Sequence, residues 1–144
     1  MASPRAPKVQ YVKDWFIYRG QALALAPAAV ANVNITIQAD SDFELVKLAQ
    51  MSDIAAAAQL SSTLVIPLVT MQLVDGGSGR QLFSDPIPMG AIFGGQGLPY
   101  ILPVPRIFKA RSNIALTLTN YDAGVTYNLR FAFMGAKIFA LGIP

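Results

Sequence analysis

The sequence predicts an all-β fold, an antiparallel β-sandwich, on three observations. Apolar and polar residues alternate with a period of two in three segments, which is the pattern of strands that have one face in water. Residues that favour tight turns, mainly glycine, aspartate and asparagine, lie between the strand candidates. Helical periodicity is nearly absent from the sequence, since one short alanine-rich segment is its single helix candidate.

The three alternating segments are residues 32–38 (NVNITIQ), 114–120 (IALTLTN) and 127–133 (YNLRFAF). Side chains two positions apart on a strand lie on the same face, so we expect the apolar half of each segment to face the core. The expected inward side chains are Val33, Ile35, Ile37, Ile114, Leu116, Leu118, Tyr127, Leu129, Phe131 and Phe133.

Three further strand candidates are less regular: residues 14–20, 43–51 and 63–74. The alternation in the second candidate changes phase near Leu45 and Val46, which predicts a β-bulge. Pro67 interrupts the third candidate. Because proline has no N–H to donate to a ladder, this residue predicts a break or an edge strand.

One helix and two hairpin turns are also predicted. Residues 52–60 (SDIAAAAQL) predict a short helix capped by Ser52 or Asp53, because alanine has the highest helix propensity. The turns at 75–79 (DGGSG) and 120–124 (NYDAG) are each expected to close a hairpin. About eight short strands separated by such turns favour a sandwich of jelly-roll type.

Length and composition predict one domain that is buried against other chains. The 144 residues suffice for a single core, which we assign to residues 13–144, preceded by an extended arm at residues 1–12. Charged residues make up 13% of the chain and hydrophobic residues 53%, whereas an average soluble domain has about 25% charged residues. A surface so poor in charge predicts contacts with other proteins, because large exposed apolar patches mark interfaces.

Residues 85–108 (DPIPMGAIFGGQGLPYILPVPRIF) predict a long Pro/Gly-rich loop with the apolar content of a core. Short strands are expected around residues 88–93 and 106–110. Loops longer than about 12–15 residues are usually functional or disordered, and disordered segments lack such apolar content. Two interpretations stay open: the segment folds over its own sandwich as a lid, or it docks on a neighbouring subunit.

Composition also excludes several function classes. The chain has no cysteine and no histidine, so thiolate and imidazole chemistry are absent, and we expect no catalytic residue, metal site or cofactor. Its net charge of +3 is spread along the sequence, which argues against a nucleic-acid partner. The apolar run at residues 22–31 is about half of the roughly 20 residues of a spanning helix and contains Pro27. We therefore expect no membrane partner and no secretory leader.

Two weaker site candidates were weighed against structural alternatives. Asp40, Asp42 and Glu44 would share one side of a strand and could bind a cation such as calcium, whereas solvated carboxylates at a turn are the alternative. Four aromatic residues could line a sugar-binding groove, whereas packing in the core is the alternative. These aromatic residues are Trp15, Tyr18, Tyr100 and Tyr121.

The order of segments resembles a family of viral proteins. A basic N-terminal arm precedes DWFIYRG and ADSDFELVKL, a Pro- and Gly-rich excursion ends in PVPRIFKARSNIALTLTN, and YNLRFAFMGAKIF lies near the end. In this layout the chain resembles the small jelly-roll virion proteins of tailed bacteriophages, most of all their capsid cement or decoration proteins. The resemblance covers residues 14–139 and rests on layout, without a diagnostic motif.

The resemblance implies a non-enzymatic structural protein, made in the host cytoplasm, that binds the exterior of an assembled capsid and bridges its subunits. The implied partners are the major capsid protein and further copies of this chain, as a dimer or trimer. The arm and the 85–108 loop match the lattice contacts of the family. The expected contact residues are Arg5, Lys8, Ile87, Ile92, Phe93, Leu98, Tyr100 and Ile101.

Rival functions stay open. One is a receptor- or glycan-binding jelly roll of a phage head or tail fibre, and another is a connector or tail structural subunit. An enzyme that uses only Asp, Glu, Tyr or Lys, such as a carboxylate-pair glycosidase, is disfavoured because the eight acidic residues form no evident pair across strands.

Overall fold

The computed structural model describes residues 10–20, 23–54, 67–93 and 98–141. In these ranges the chain forms two five-stranded antiparallel sheets that pack face to face around one apolar core. The predicted all-β sandwich is therefore confirmed.

The strands and the short helix follow one another along the chain as follows. The first sheet contains β1 (Gln10–Arg19), β2 (Leu23–Leu25), β4 (Asp42–Ile54), β8 (Tyr100–Phe108) and β10 (Tyr127–Leu141). The second sheet contains β3 (Val30–Thr36), β5 (Val69–Asp75), β6 (Arg80–Gln81), β7 (Ile87–Pro88) and β9 (Asn113–Asn120). One helical turn, α1 (Met89–Ile92), follows β7.

The strand order alternates between the sheets. The first sheet has the order β1-β10-β4-β8, with β2 also paired to β10, and the second has the order β3-β9-β5-β6, with β7 also paired to β5. From β2 to β5, and again from β7 to β10, each strand lies in the opposite sheet from the one before it. This alternation is compatible with a jelly roll, although the jelly-roll type itself stays a prediction.

The three alternating segments face the core as predicted. Their apolar side chains are buried between the sheets, except Val33, which is half-buried. The fourth confirmed feature is the bulge in β4. The register of β4 shifts between Leu45 and Lys47 against β8, and the register of β10 against β4 shifts between Met134 and Gly135. A Cβ atom at Gly135 would overlap the Glu44 carbonyl oxygen, so the close approach at the bulge requires glycine.

Of the two predicted hairpins, one is confirmed and the other is wrong. The turn at 75–79 joins β5 to β6, with Asp75 paired to Arg80 and Gly79 at a φ of +71°. The turn at 120–124 instead carries the chain from β9 in one sheet to β10 in the other. The Asn120 amide nitrogen donates to the carbonyls of Leu25, Ala26 and Val125. These bonds fix the chain in a crossover, which local turn propensity alone does not distinguish from a hairpin.

The predicted helix at 52–60 is wrong over its first three residues. Ser52, Asp53 and Ile54 extend β4 and pair with β10, because pairing with a long central strand overrides local helix propensity. Residues 55–60 lie outside the described residues, as do residues 63–66 of the predicted strand at 63–74. The described part of that strand begins at Val69, after Pro67.

The first sheet starts earlier than predicted. Residues 10–12, assigned to the extended arm, belong to β1 and pair with residues 139–141 of β10. The arm assignment is therefore wrong for these three residues, because they find a complementary strand at the end of the sheet. Residues 1–9 lie outside the described residues.

The 85–108 segment is more regular than a loop. It contributes β7, α1 and a nine-residue strand, β8. The strands expected around 88–93 and 106–110 are thus replaced by a helical turn at the first place and by a strand that starts at Tyr100 at the second. Residues 94–97 lie outside the described residues.

Candidate protein-interaction surface

The outer face of the first sheet is the side of β1, β10, β4 and β8 that points away from the core. Phe43, Leu45 and Phe133 point inward and are fully buried, so their neighbours along the strands point outward. Strand register then places outward side chains side by side across the sheet. One row is Trp15, Ala136, Glu44 and Ile107, and the next is Ile17, Met134, Lys47 and Ile101.

Large apolar side chains on this face are exposed to solvent. Trp15 is 74% exposed and Ile101 is 61% exposed. Tyr11, Ile17, Met51 and Ile107 are exposed on the same face. Tryptophan, tyrosine and arginine are the residues that most often dominate binding energy at protein interfaces. The outer face therefore carries the chemistry of a protein contact surface.

Charged residues lie among these apolar side chains. The Lys13 ammonium lies 3.2 Å from a Glu44 carboxylate oxygen. Lys13 is on β1 and Glu44 on β4, so this ion pair spans β10 at the small side chain of Ala136. Exposed ion pairs contribute about 0–1 kcal/mol, so the pair mainly orients charge on the face. Such charges favour a partner with complementary charge.

The outer face of the second sheet is polar and uncharged by contrast. Asn32, Thr117 and Gln72 form one row across β3, β9 and β5. The Thr117 hydroxyl donates to the Asn32 side-chain oxygen at 3.0 Å, and Thr36 donates to Asn113 at 3.0 Å. These side chains are satisfied by one another and by water, so this face has little to gain from a protein partner.

A cleft opens between β8 of the first sheet and β5 and β6 of the second. Its volume is about 500 Å³. The walls are mostly apolar, with Arg106 as the charged group, and the Arg106 guanidinium lies 3.4 Å from an Asp75 carboxylate oxygen. Arg106 is thereby held in place by its own chain. The other lining residues include Leu73, Leu82, Phe83, Ile92, Tyr100 and Leu102.

The predicted contact residues separate into three groups. Leu98 and Ile101 are exposed at 78% and 61%. Ile87, Ile92 and Tyr100 are half-buried, and the last two line the cleft. Arg5 and Lys8 lie outside the described residues.

Phe93 has a different position from the one that a contact residue requires. It is 2% exposed, and its ring centroid lies 5.4 Å from that of Phe131 and 5.8 Å from that of Phe133. The side chain packs inside its own sandwich and is covered there. Both interpretations of the 85–108 segment therefore hold in part, since Met89, Phe93 and Phe108 enter the core while Leu98 and Ile101 remain on the surface.

The three carboxylates that could bind a cation each face a different lysine. Asp40 lies 2.9 Å from Lys137, Asp42 lies 3.4 Å from Lys109, and Glu44 pairs with Lys13. Among the described residues, no three acidic, cysteine or histidine side chains converge on a point where a metal ion could bind.

The aromatic candidates do not form one groove. Trp15 and Tyr18 lie three positions apart on β1 and so point to opposite faces, with Tyr18 buried at 6% exposure. The Tyr18 hydroxyl accepts a hydrogen bond from the Gln38 amide at 2.9 Å. Tyr100 is half-buried beside the cleft, and Tyr121 is exposed beyond the end of β9.

Perturbed titration occurs in the β9–β10 turn. The Gly124 amide and the Tyr127 hydroxyl, each 2.9 Å from the carboxylate, hold the pKa of Asp122 below its ordinary value. Burial, and then the hydrogen bond to Asp122, raises the pKa of Tyr127. Both groups fasten the turn, which accounts for their shifts without a catalytic role.

Sequence reasoning missed Trp15, Ile17 and Ile107 as surface residues. The signal was present in β1, where apolar residues occupy both parities of the strand, so that one apolar set had to face away from the core. In β8 the same signal was hidden by the prolines, which suggested a loop.

Within the described ranges, no helix is long and apolar enough to cross a membrane. Comparison of the chain with models of protein families, with curated proteins and with solved structures finds no match.

Proposed function

We propose that this chain is a non-enzymatic virion structural protein that adds to the exterior of an assembled capsid and cements or decorates it. The observation that carries the proposal is the exposed apolar outer face of the first sheet. A protein that bridges subunits of an existing shell needs a broad contact surface more than a polar pocket. The resemblance in layout to the cement and decoration proteins of tailed bacteriophages points the same way.

The shape of the contact surface also supports the proposal. Ile101 and Ile107 lie on edge strand β8 and Trp15 lies on edge strand β1, so the exposed apolar groups extend from one edge of the sheet to the other. A flat, wide surface of this kind suits contacts with more than one neighbouring subunit. Glycan-binding sites are usually concave and place polar groups beside an aromatic ring, which the outer face does not.

The test is co-sedimentation of the purified chain with shells of the major capsid protein from the same virus. We expect Ile101→Ser to weaken binding at least about tenfold, as loss of an interface anchor does. The matched control is Val30→Ser, because Val30 is also 61% exposed but lies on the second sheet. We expect this control to change binding less than about twofold.

Absence of binding by the wild-type chain, or equal losses for the two variants, would contradict the proposal. Binding of the wild-type chain to host polysaccharide on a glycan array, without binding to shells, would instead favour the receptor- or glycan-binding alternative.

A further inference from the structure

β1 is an open sheet edge over its whole length. Its ten residues pair in unbroken register with β10 on one side, and no other described strand pairs with β1. The Gly20 amide, next along the chain, donates to the Phe131 carbonyl at 3.0 Å. Because N–H groups alternate in direction along a strand, the odd-numbered residues of β1 turn their N–H and C=O groups to the free edge. These residues are Tyr11, Lys13, Trp15, Ile17 and Arg19.

The other edges of the sandwich carry features that block strand addition. β8 contains Pro103 and Pro105, which have no N–H to donate, and β6 and β7 have only two residues each. β3 is also an edge, but its outward residues include Asn32, Asn34 and Thr36, which gain little by leaving water. β1 contains no proline and no bulge, and its side chains from Gln10 to Trp15 are all exposed.

We propose that β1 pairs edge to edge and antiparallel with β1 of a second copy of this chain, in a two-fold symmetric dimer whose axis passes beside Trp15. The pairing supplies partners for the free backbone groups, as in β-strand addition. It also brings Trp15 of each copy together on the outer face and joins the two outer faces into one surface. The proposal does not depend on binding to a shell.

The charges of β1 select this register. With Trp15 opposite Trp15 of the second copy, Lys13 lies opposite Ile17, Asp14 opposite Phe16, and Arg19 opposite Tyr11, so no like charges meet. Arg19 and Tyr11 can form a cation–π contact in this register.

The neighbouring registers each place like charges face to face. A shift of the second copy by two residues in one direction puts Asp14 opposite Asp14, and a further shift puts Lys13 opposite Lys13. A shift in the other direction puts Lys13 opposite Arg19. Like charges directly opposite one another destabilise an antiparallel pair, so only the Trp15-centred register both avoids them and pairs nearly all of β1.

Cysteine cross-linking tests the register directly, because the natural chain has no cysteine. Directly opposite residues that exchange hydrogen bonds have Cα atoms about 5.5 Å apart, within the range of a disulfide. We expect Trp15→Cys to form a covalent dimer under mild oxidation at least about tenfold faster than Val104→Cys. Val104 is the matched control, since it is 78% exposed on the opposite edge of the same sheet.

Asp14→Cys reports the next register and is expected to remain monomeric. A covalent dimer from Asp14→Cys with none from Trp15→Cys would overturn the register. Equal rates for Trp15→Cys and Val104→Cys would overturn the interface.

Solution mass by light scattering then tests the dimer without a cross-link. We expect the wild-type chain to have twice the chain mass and Trp15→Pro to raise the dimer dissociation constant at least about tenfold. A proline at position 15 removes no bond to β10, because that N–H points to the free edge, and circular dichroism checks that the variant folds. Val104→Pro is expected to stay dimeric. A wild-type chain that is monomeric up to about 1 mM would overturn the proposal, whatever its binding to shells.

Discussion

The two outer faces of this sandwich solve the same problem of facing outward with different chemistry. The second sheet presents rows of asparagine, threonine and glutamine that bond to one another, as Thr117 does to Asn32. The first sheet presents Trp15, Ile17, Ile101 and neighbouring charges, with the large apolar groups left open. The difference teaches that low charge in a sequence need not be spread evenly, since one face can be finished for water and the other for protein.

The comparison depends first on which apolar residues of the 85–108 segment belong to the core. We expect Phe93→Ala to lower the free energy of unfolding by about 3–5 kcal/mol, because it leaves a cavity beside Phe131 and Phe133. Leu98→Ala, at a residue that is 78% exposed, should change it by no more than about 0.5 kcal/mol. Urea unfolding followed by tryptophan fluorescence measures both. Equal effects would mean that Phe93 does not hold the segment to the core.

The apolar face also depends on the close approach of β10 to the bulge in β4. We expect Gly135→Ala to lower the free energy of unfolding by about 3 kcal/mol, because the added Cβ would meet the Glu44 carbonyl oxygen and push the two strands apart. Gly124→Ala is the control, since a Cβ at that position meets nothing within 4 Å. Thermal unfolding by calorimetry compares the two variants. A stable Gly135→Ala variant would show that the central strands of the first sheet tolerate separation.

The polar face offers the converse change. Thr117→Val removes the hydroxyl that donates to Asn32, and we expect it to cost about 0.5–1 kcal/mol of stability, the usual net value of one hydrogen bond. It should leave shell binding within about twofold of the wild type, because the second sheet is not the contact face. Chemical unfolding and co-sedimentation measure the two effects. Weakened binding by this variant would remove the distinction between the faces.

The smallest expected effect concerns acid stability at the turn between the two sheets. The folded pKa of Asp122 is lowered by its hydrogen bonds from Gly124 and Tyr127. The stability from this group is therefore present above its unfolded pKa of about 3.9 and is lost as pH falls through the lower folded pKa. In Asp122→Asn this contribution is absent, so the stability difference between wild type and variant should shrink between pH 5 and pH 2. A constant difference across that range would contradict the assignment.

Much of the fold followed from local pattern because both faces of the central strands report their environment. In residues 114–120 and 127–133 the inward set is apolar and the outward set is not, and that period survives in the structure. The phase change at Leu45 and Val46 likewise marked the bulge. What local pattern did not give was pairing: the 120–124 turn crosses between sheets because of bonds from Asn120 to distant carbonyls.

The candidate surface was predicted less well, for a physical reason. An exposed apolar side chain and a buried one have the same letter in the sequence, so Phe93 and Leu98 were assigned the same role although one is in the core and the other in water. The two are separated by the position of α1 against the inner face of the first sheet. The exposure of Trp15 follows from β1 being an edge strand, which depends on the whole strand order.

The central claim, that the outer face of the first sheet is the contact surface, is tested most directly by amide hydrogen exchange of the chain free and bound to shells. Edge strand β8 is compared with edge strand β3, because neither takes part in the proposed dimer. We predict that residues 100–108 exchange more slowly in the bound chain and that residues 30–36 do not change. Slower exchange of residues 30–36, with residues 100–108 unchanged, would contradict the account.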